Sequence, residues 1–225
     1  MKIAKLFYVV LLLLLNSVLF GQSGQLSNPF VEKYFFYKSF EPRKTFTYKD
    51  VVGSPYLNDE FIEGTISLKD TVPVKLPIRY NIFRDEIEYQ MNGFNYVFGN
   101  PESLKSVSLG ESVLVYLPLI EKGGYFEVNE KGKCALLQKR LVKLKPAEDP
   151  KAIVGVAIPA EFVRKFDVYY LVVNETNTYK IKNMKSVLIA LNDQQSKIKD
   201  FIKQEKINNV KKNNLIKIVR YYNSL

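Results

Sequence analysis

VPVKLPIRYNIFRDEIEYQMNGFNYVF, residues Val72 to Phe98, decides the fold class. Val72, Val74, Leu76, Ile78, Tyr80 and Ile82 alternate with Pro73, Lys75, Pro77, Arg79 and Asn81, the period-two pattern of a strand with one buried face. Arg84-Asp85 then reverses the chain, and Ile87, Tyr89 and Met91 alternate with Glu86, Glu88 and Gln90 on the return. Asn92-Gly93 between aromatic and apolar neighbours reverses it again, because Asn and Gly accept the positive φ of a type I′ turn. The stretch predicts a three-stranded antiparallel meander. Pro73 and Pro77 remove two donors from the same side of the first limb, so that side is a free edge or a short, broken ladder. Glu86 and Glu88 alternate away from the core and read as a solvated face.

Outward from the meander, the same signals recur. Glu63 to Leu68 leads into it as a strand, and Leu104–Gly110 and Val113–Leu119 give two more. Tyr125–Asn129 and Lys133–Leu144 flank the turn at 130–132, and Asp167–Val173 and Thr178–Lys182 flank the turn at 174–177. Pro159 to Phe162 reads as a short helical turn. From Asn183 the period changes to 3.6. Val187, Leu188 and Leu191 mark one short helix, Ile198, Phe201 and Ile202 a second that Asp193 caps, and Leu215, Ile218, Val219 and Tyr222 a third capped by Asn213 or Asn214. The expected fold is α+β: antiparallel β hairpins in an open or barrel-like sheet over residues 22–182, with a basic amphipathic helical segment, 183–225, docked on it.

GSPYLNDEF (53–61), IRYN (78–81), DEIEY (85–89), GYFEV (124–128) and YYN (221–223) together resemble the pattern of uncharacterised secreted proteins of Bacteroidota. The resemblance implies export and a β-rich body and implies no activity or site.

The beginning of the chain points the same way. Lys2 and Lys5, an apolar run from Leu6 to Leu15 and small or polar residues at 21–24 read as a signal peptide spanning 1–21. The run falls short of the roughly 20 residues of a membrane span, so no transmembrane segment is expected in the mature chain. The expected compartment is the periplasm or outer cell envelope. The only cysteine, Cys134, has no disulfide partner within the chain and lies in an apolar strand-like run, which reads as buried and inert.

Charge is segregated. The chain carries a formal +10. Eleven basic residues fall between Lys180 and Arg220, against Asp193, Asp200 and Glu205, so the tail holds an excess of eight while the body from 22 to 179 is neutral. Lys199, Lys203, Lys206, Lys211 and Lys212 are therefore the candidate contacts for an anionic envelope surface or an envelope protein partner. Nucleic acid is not an expected partner of an exported chain.

Catalytic options are few. With no histidine and one cysteine, Ser-His-Asp and Cys-His nucleophiles, histidine zinc sites and dithiol redox chemistry are excluded. No phosphate-binding glycine motif occurs, and no cofactor is expected. The remaining acids are Asp59, Glu60, Asp85, Glu86, Glu88, Glu127 and Glu130; with the aromatic and basic residues of Phe30–Tyr48 they give an alternative reading as a carboxylate-dependent enzyme on glycans. A further alternative is a subunit whose proline-marked edge pairs with another chain of an envelope complex. The leading reading is a non-enzymatic binding or assembly protein of the cell envelope.

Overall fold

Both turns of the meander form as the residue types require: Asp85 sits at φ 57°, and Asn92 and Gly93 at φ 52° and 79°. The computed structural model describes residues 48, 50–69, 72–118, 120, 122–148 and 157–225, which belong to the compact unit Glu41–Leu225. The segment read as a signal peptide, and all of Phe30–Tyr48 except Tyr48, lie outside the described residues.

Among these residues the strands are β1 (Ile62–Leu68), β2 (Val74–Asn81), β3 (Glu86–Met91), β4 (Phe94–Val97), β5 (Leu104–Leu109), β6 (Ser112–Tyr116), β7 (Tyr125–Glu130), β8 (Cys134–Lys139), β9 (Val142–Lys145), β10 (Glu161–Arg164), β11 (Val168–Val173) and β12 (Asn177–Ile181), followed by helices α1 (Met184–Ala190), α2 (Gln195–Gln204) and α3 (Lys212–Asn223). Ten strands form one antiparallel sheet in the order β12-β11-β8-β7-β6-β5-β1-β2-β3-β4, and β9 and β10 form a separate pair. The fold is α+β with a helical tail, and the sheet is open.

That sheet is strongly curled. Four strand steps separate β2 from β7, about 19 Å in a flat sheet at the usual strand spacing, yet the Tyr80 and Tyr125 rings are 5.8 Å apart. The concave face of the first half buries Ile66, Ile78, Tyr80, Ile87, Tyr89, Val107, Leu109 and Leu114. In the second half the same face meets the helices: Cys134, Leu136, Leu171 and Ile181 share a core with Val187, Leu191, Ile198, Leu215, Ile218 and Tyr222. The opposite face of that half is also apolar, with Ile120, Phe126, Leu137 and Tyr170 in contact.

The prolines act as expected. Leu57 donates to the Tyr80 carbonyl and Ile82 to the Pro55 carbonyl, so the even residues of β2 turn their backbone groups toward β1 and the odd ones toward β3. Pro73 and Pro77 therefore deny donors to β3, and the β2–β3 ladder covers only Ile78–Asn81 while β1 pairs from Val74 to Ile78.

Several expectations change. The limb read as Lys133–Leu144 breaks at Arg140-Leu141, where β8 leaves the large sheet and β9 starts the small one. Residues 161–164 are strand β10, not a helical turn, because β9 and the bridge from Val52 to Glu161 give the segment pairing partners. Gln194, without a side-chain cap, precedes α2; Asp193 is engaged elsewhere, accepting from Lys133 at 2.9 Å and from the Tyr222 hydroxyl at 3.0 Å. α3 starts before Asn213, with Lys211 at its N-cap. Asn183, which the sequence reading did not name as a cap, caps α1 in a reciprocal box with Ser186.

Candidate functional site

Among the cations of the tail, the structure separates those of α3, which are ion-paired, from the candidate lysines of α2 and the 205–211 connection. Lys212 and Arg220 hold α3 to the sheet. Lys212 lies 3.2 Å from Glu127 on β7, a carboxylate only 6% exposed that Arg140 also contacts at 2.6 Å. Arg220 reaches Glu130, also on β7, at 2.5 Å. Lys217 lies 3.4 Å from Glu205. Below them Asn223 accepts from the Cys134 N–H at 2.8 Å and donates to the Cys134 carbonyl at 2.9 Å. Lys133, the preceding residue, faces β11 through a bond from Asn174, so the groups of Cys134 turn toward the flared end of β7. The Asn223 amide fills the place a strand partner would take.

Lys199, Lys203, Lys206 and Lys211 form the second group. All four are exposed, and none has an ion-pair partner among the described residues. Their placement follows from the packing of α2. Ile198 is fully buried, Phe201 stacks on Tyr221 at 4.2 Å, and Ile202 packs on the shared core. With the apolar side fixed, Lys199 and Lys203, one turn apart, point the other way. Lys206 follows the helix end at φ 52°, and Lys211 precedes α3. Asp200 is the carboxylate on this side of α2; Glu205 is drawn to Lys217. Of the five lysines singled out from the sequence, four thus share an unpaired solvent-facing group, and Lys212 serves the sheet contact.

Of the candidate acids, Asp59, Asp85, Glu86, Glu88, Glu127 and Glu130 are each tied to a cation or donor. Glu88 receives Arg79 at 3.1 and 2.6 Å and Asn81 at 3.1 Å. Arg79 in turn lies 3.7 Å from the Tyr56 ring centroid and 4.3 Å from that of Phe61. The face expected to be solvated at Glu86 and Glu88 is therefore half-buried, because Tyr48, Tyr56 and Phe61 come back over Asn81 and Arg79 of β2. Burial, then the Glu88 charge, pushes the Tyr56 phenol up to about 12. Glu86 pairs with Arg84 at 2.9 Å, and Asp59 accepts from the Ser54 hydroxyl.

Asp85 closes the curl of the sheet. It accepts from Tyr80 at 2.6 Å, from Lys139 at 2.6 Å and from the Tyr125 N–H at 3.3 Å. Gly124, at φ 152°, lies where a Cβ would collide with both Asp85 and Lys139. This network joins residues far apart in sequence, and nothing in the spacing of Asp85 and Lys139 announces it. Among the described residues no group of three or more His, Cys, Asp or Glu is arranged to hold a metal ion, and no helix is long and apolar enough to cross a membrane.

No protein-family model, curated protein or solved structure matches the chain.

Proposed function

We propose that this is an exported, non-enzymatic binding or assembly protein of the cell envelope, acting in the periplasm or at the outer envelope, with Lys199, Lys203, Lys206 and Lys211 as its contact surface. The observation that carries the reading is the unpaired state of these four lysines on a body that is otherwise electrically balanced. Lys212, Lys217 and Arg220 of α3 are held in ion pairs, and the exposed lysines without one give a local positive potential that draws an anionic partner and weakens with salt. The likeness of residues 53–61 and 124–128 to secreted Bacteroidota proteins supports export, as does the sequence of residues 1–21.

Fractionation of the producing cells tests it. The wild-type chain is expected in the envelope fraction, released by high salt, and a variant with all four lysines changed to Gln is expected in the soluble exported fraction. Cytoplasmic retention of the wild type, or envelope retention of the variant, would overturn the reading.

A further inference from the structure

The nature of the lysine surface narrows its partner. Every unpaired cation on α2 and the 205–211 connection is a lysine, and the tail's one arginine, Arg220, is engaged by Glu130 at 2.5 Å. Lysine is a hydrated point charge on a flexible stem, whereas arginine supplies the forked, directional contacts typical of specific recognition. Protein interfaces concentrate Tyr, Trp, Met and Arg at their centres and are depleted in Lys. Between residues 195 and 214 no large apolar side chain is exposed; the exposed ones include Phe94, Phe166, Ile189 and Leu225. The surface therefore lacks the anchors of a protein interface.

Shape adds a second constraint. α2 makes its main helix contacts with α1 and α3, and Lys199 and Lys203 on its other side are exposed. A flexible polymer strand is held along a groove, as nucleic-acid strands are; exposed lysines one helical turn apart can meet an extended plane of charge at several points at once. The apolar side of α2 is already occupied by the core around Ile198, Phe201 and Ile202, which leaves nothing to insert into hydrocarbon.

We infer that the exposed lysines Lys199, Lys203, Lys206 and Lys211 dock on the anionic headgroup plane of a lipid bilayer, by electrostatic attraction without insertion. The inference rests on the reading above and names the partner within it.

The test is co-sedimentation of the full exported chain with vesicles of phosphatidylcholine containing phosphatidylglycerol, beside vesicles of phosphatidylcholine alone and beside soluble polyglutamate. Each lysine near such a surface contributes about fivefold in partitioning, equivalent to roughly 1 kcal/mol. Binding to the anionic vesicles is expected to exceed binding to the neutral ones, and to fall as salt rises from about 0.05 M to about 0.5 M, over which the Debye length shrinks roughly threefold. Changing the four lysines to Gln is expected to lower partitioning by up to roughly six-hundredfold. Changing Lys69, Lys75, Lys105 and Lys143 to Gln, all exposed lysines of the β body, removes the same net charge and is expected to leave most binding intact. Equal binding to both vesicle types, equal loss in both quadruple variants, or binding to polyglutamate with none to vesicles would each overturn the lipid assignment. If fractionation of cells still depends on the four lysines while vesicles are not bound, the envelope reading stands and the lipid assignment alone falls.

Discussion

Tyr80 and Tyr125 meet across the curl of the sheet, and their hydroxyls are in opposite situations. The Tyr80 hydroxyl donates to Asp85 at 2.6 Å, whereas the Tyr125 hydroxyl is buried without a hydrogen-bond partner. Burial, ahead of the Asp85 charge, raises both phenols well above their usual range. A buried donor without a partner forfeits its bonds to water, which costs about 1–3 kcal/mol. Tyr125→Phe is therefore expected to leave the protein as stable or up to about 1 kcal/mol more stable, while Tyr80→Phe is expected to destabilise by roughly 1–2 kcal/mol; urea denaturation of the two variants reads the difference, and a loss of similar size in both would refute it. Asn223 makes a comparable case at the other end of the sheet. Asn223→Ala strands both backbone groups of Cys134 and is expected to cost about 2 kcal/mol, measured in the same way. Asn223→Asp keeps the acceptor for the Cys134 N–H but sets a carboxylate against the carbonyls of Lys131 and Cys134, so it is not expected to rescue. Residue identity alone announced little of this. Cys134 was legible as a buried thiol because its neighbours are apolar, and it is indeed fully buried; the role of Asn223 was not, since its partner lies 89 positions away.

The end of α2 shows how an element is fixed by its termination. Lys206 donates to the Lys203 carbonyl at 3.2 Å and Ile207 to the Ile202 carbonyl at 3.0 Å, the paired bonds of a Schellman motif, with the apolar contact supplied by buried Ile207. Glycine is the usual occupant of the left-handed position, and a side chain there costs on the order of 1 kcal/mol. Lys206→Gly is expected to raise stability by roughly 0.5–1 kcal/mol, read as a higher midpoint in thermal or urea unfolding, while weakening vesicle binding. A lysine held where glycine would fold better fits a residue kept for its charge. At this scale the strands were legible wherever alternation and turn residues agreed, as in 72–98, and Pro73 and Pro77 foretold the short β2–β3 ladder. The errors fell where a partner distant in sequence decides the outcome. Val52 and β9 make β10 a strand, Lys133 and Tyr222 divert Asp193 from capping, and Tyr56 and Phe61 cover Arg79, the partner of Glu88. Local pattern holds no trace of such partners.

Over the whole molecule, the missing histidines set the response to pH. Besides the α-amino group, no side chain with an ordinary pKa between about 5 and 8 is present, and burial, ahead of the Asp193 charge, pushes the Cys134 thiol up to about 12. Stability is therefore expected to be nearly flat across that interval. The acid side behaves differently. The hydrogen bond from Lys133, ahead of the opposing effect of burial and the bond from Tyr222, lowers the Asp193 carboxyl. A carboxyl whose folded pKa is depressed releases its proton more readily in the folded state, so its stabilising effect is complete above the unfolded value and is lost as pH falls through the folded one. Acid should thus loosen the junction of α3 with the 191–194 turn and the 131–134 loop, helped by growing repulsion among the cations. On the alkaline side the sign reverses. Tyr56, raised to about 12, contributes stability that is whole below the unfolded phenol value and is lost as pH climbs toward its folded one. Urea midpoints taken from about pH 3 to about pH 11 should give a plateau bounded by two declines. In Lys133→Met the acid decline should shrink, because the carboxyl then titrates near its ordinary value in both states; a slope between pH 5 and 8, or an acid limb unchanged by that substitution, would count against the assignment.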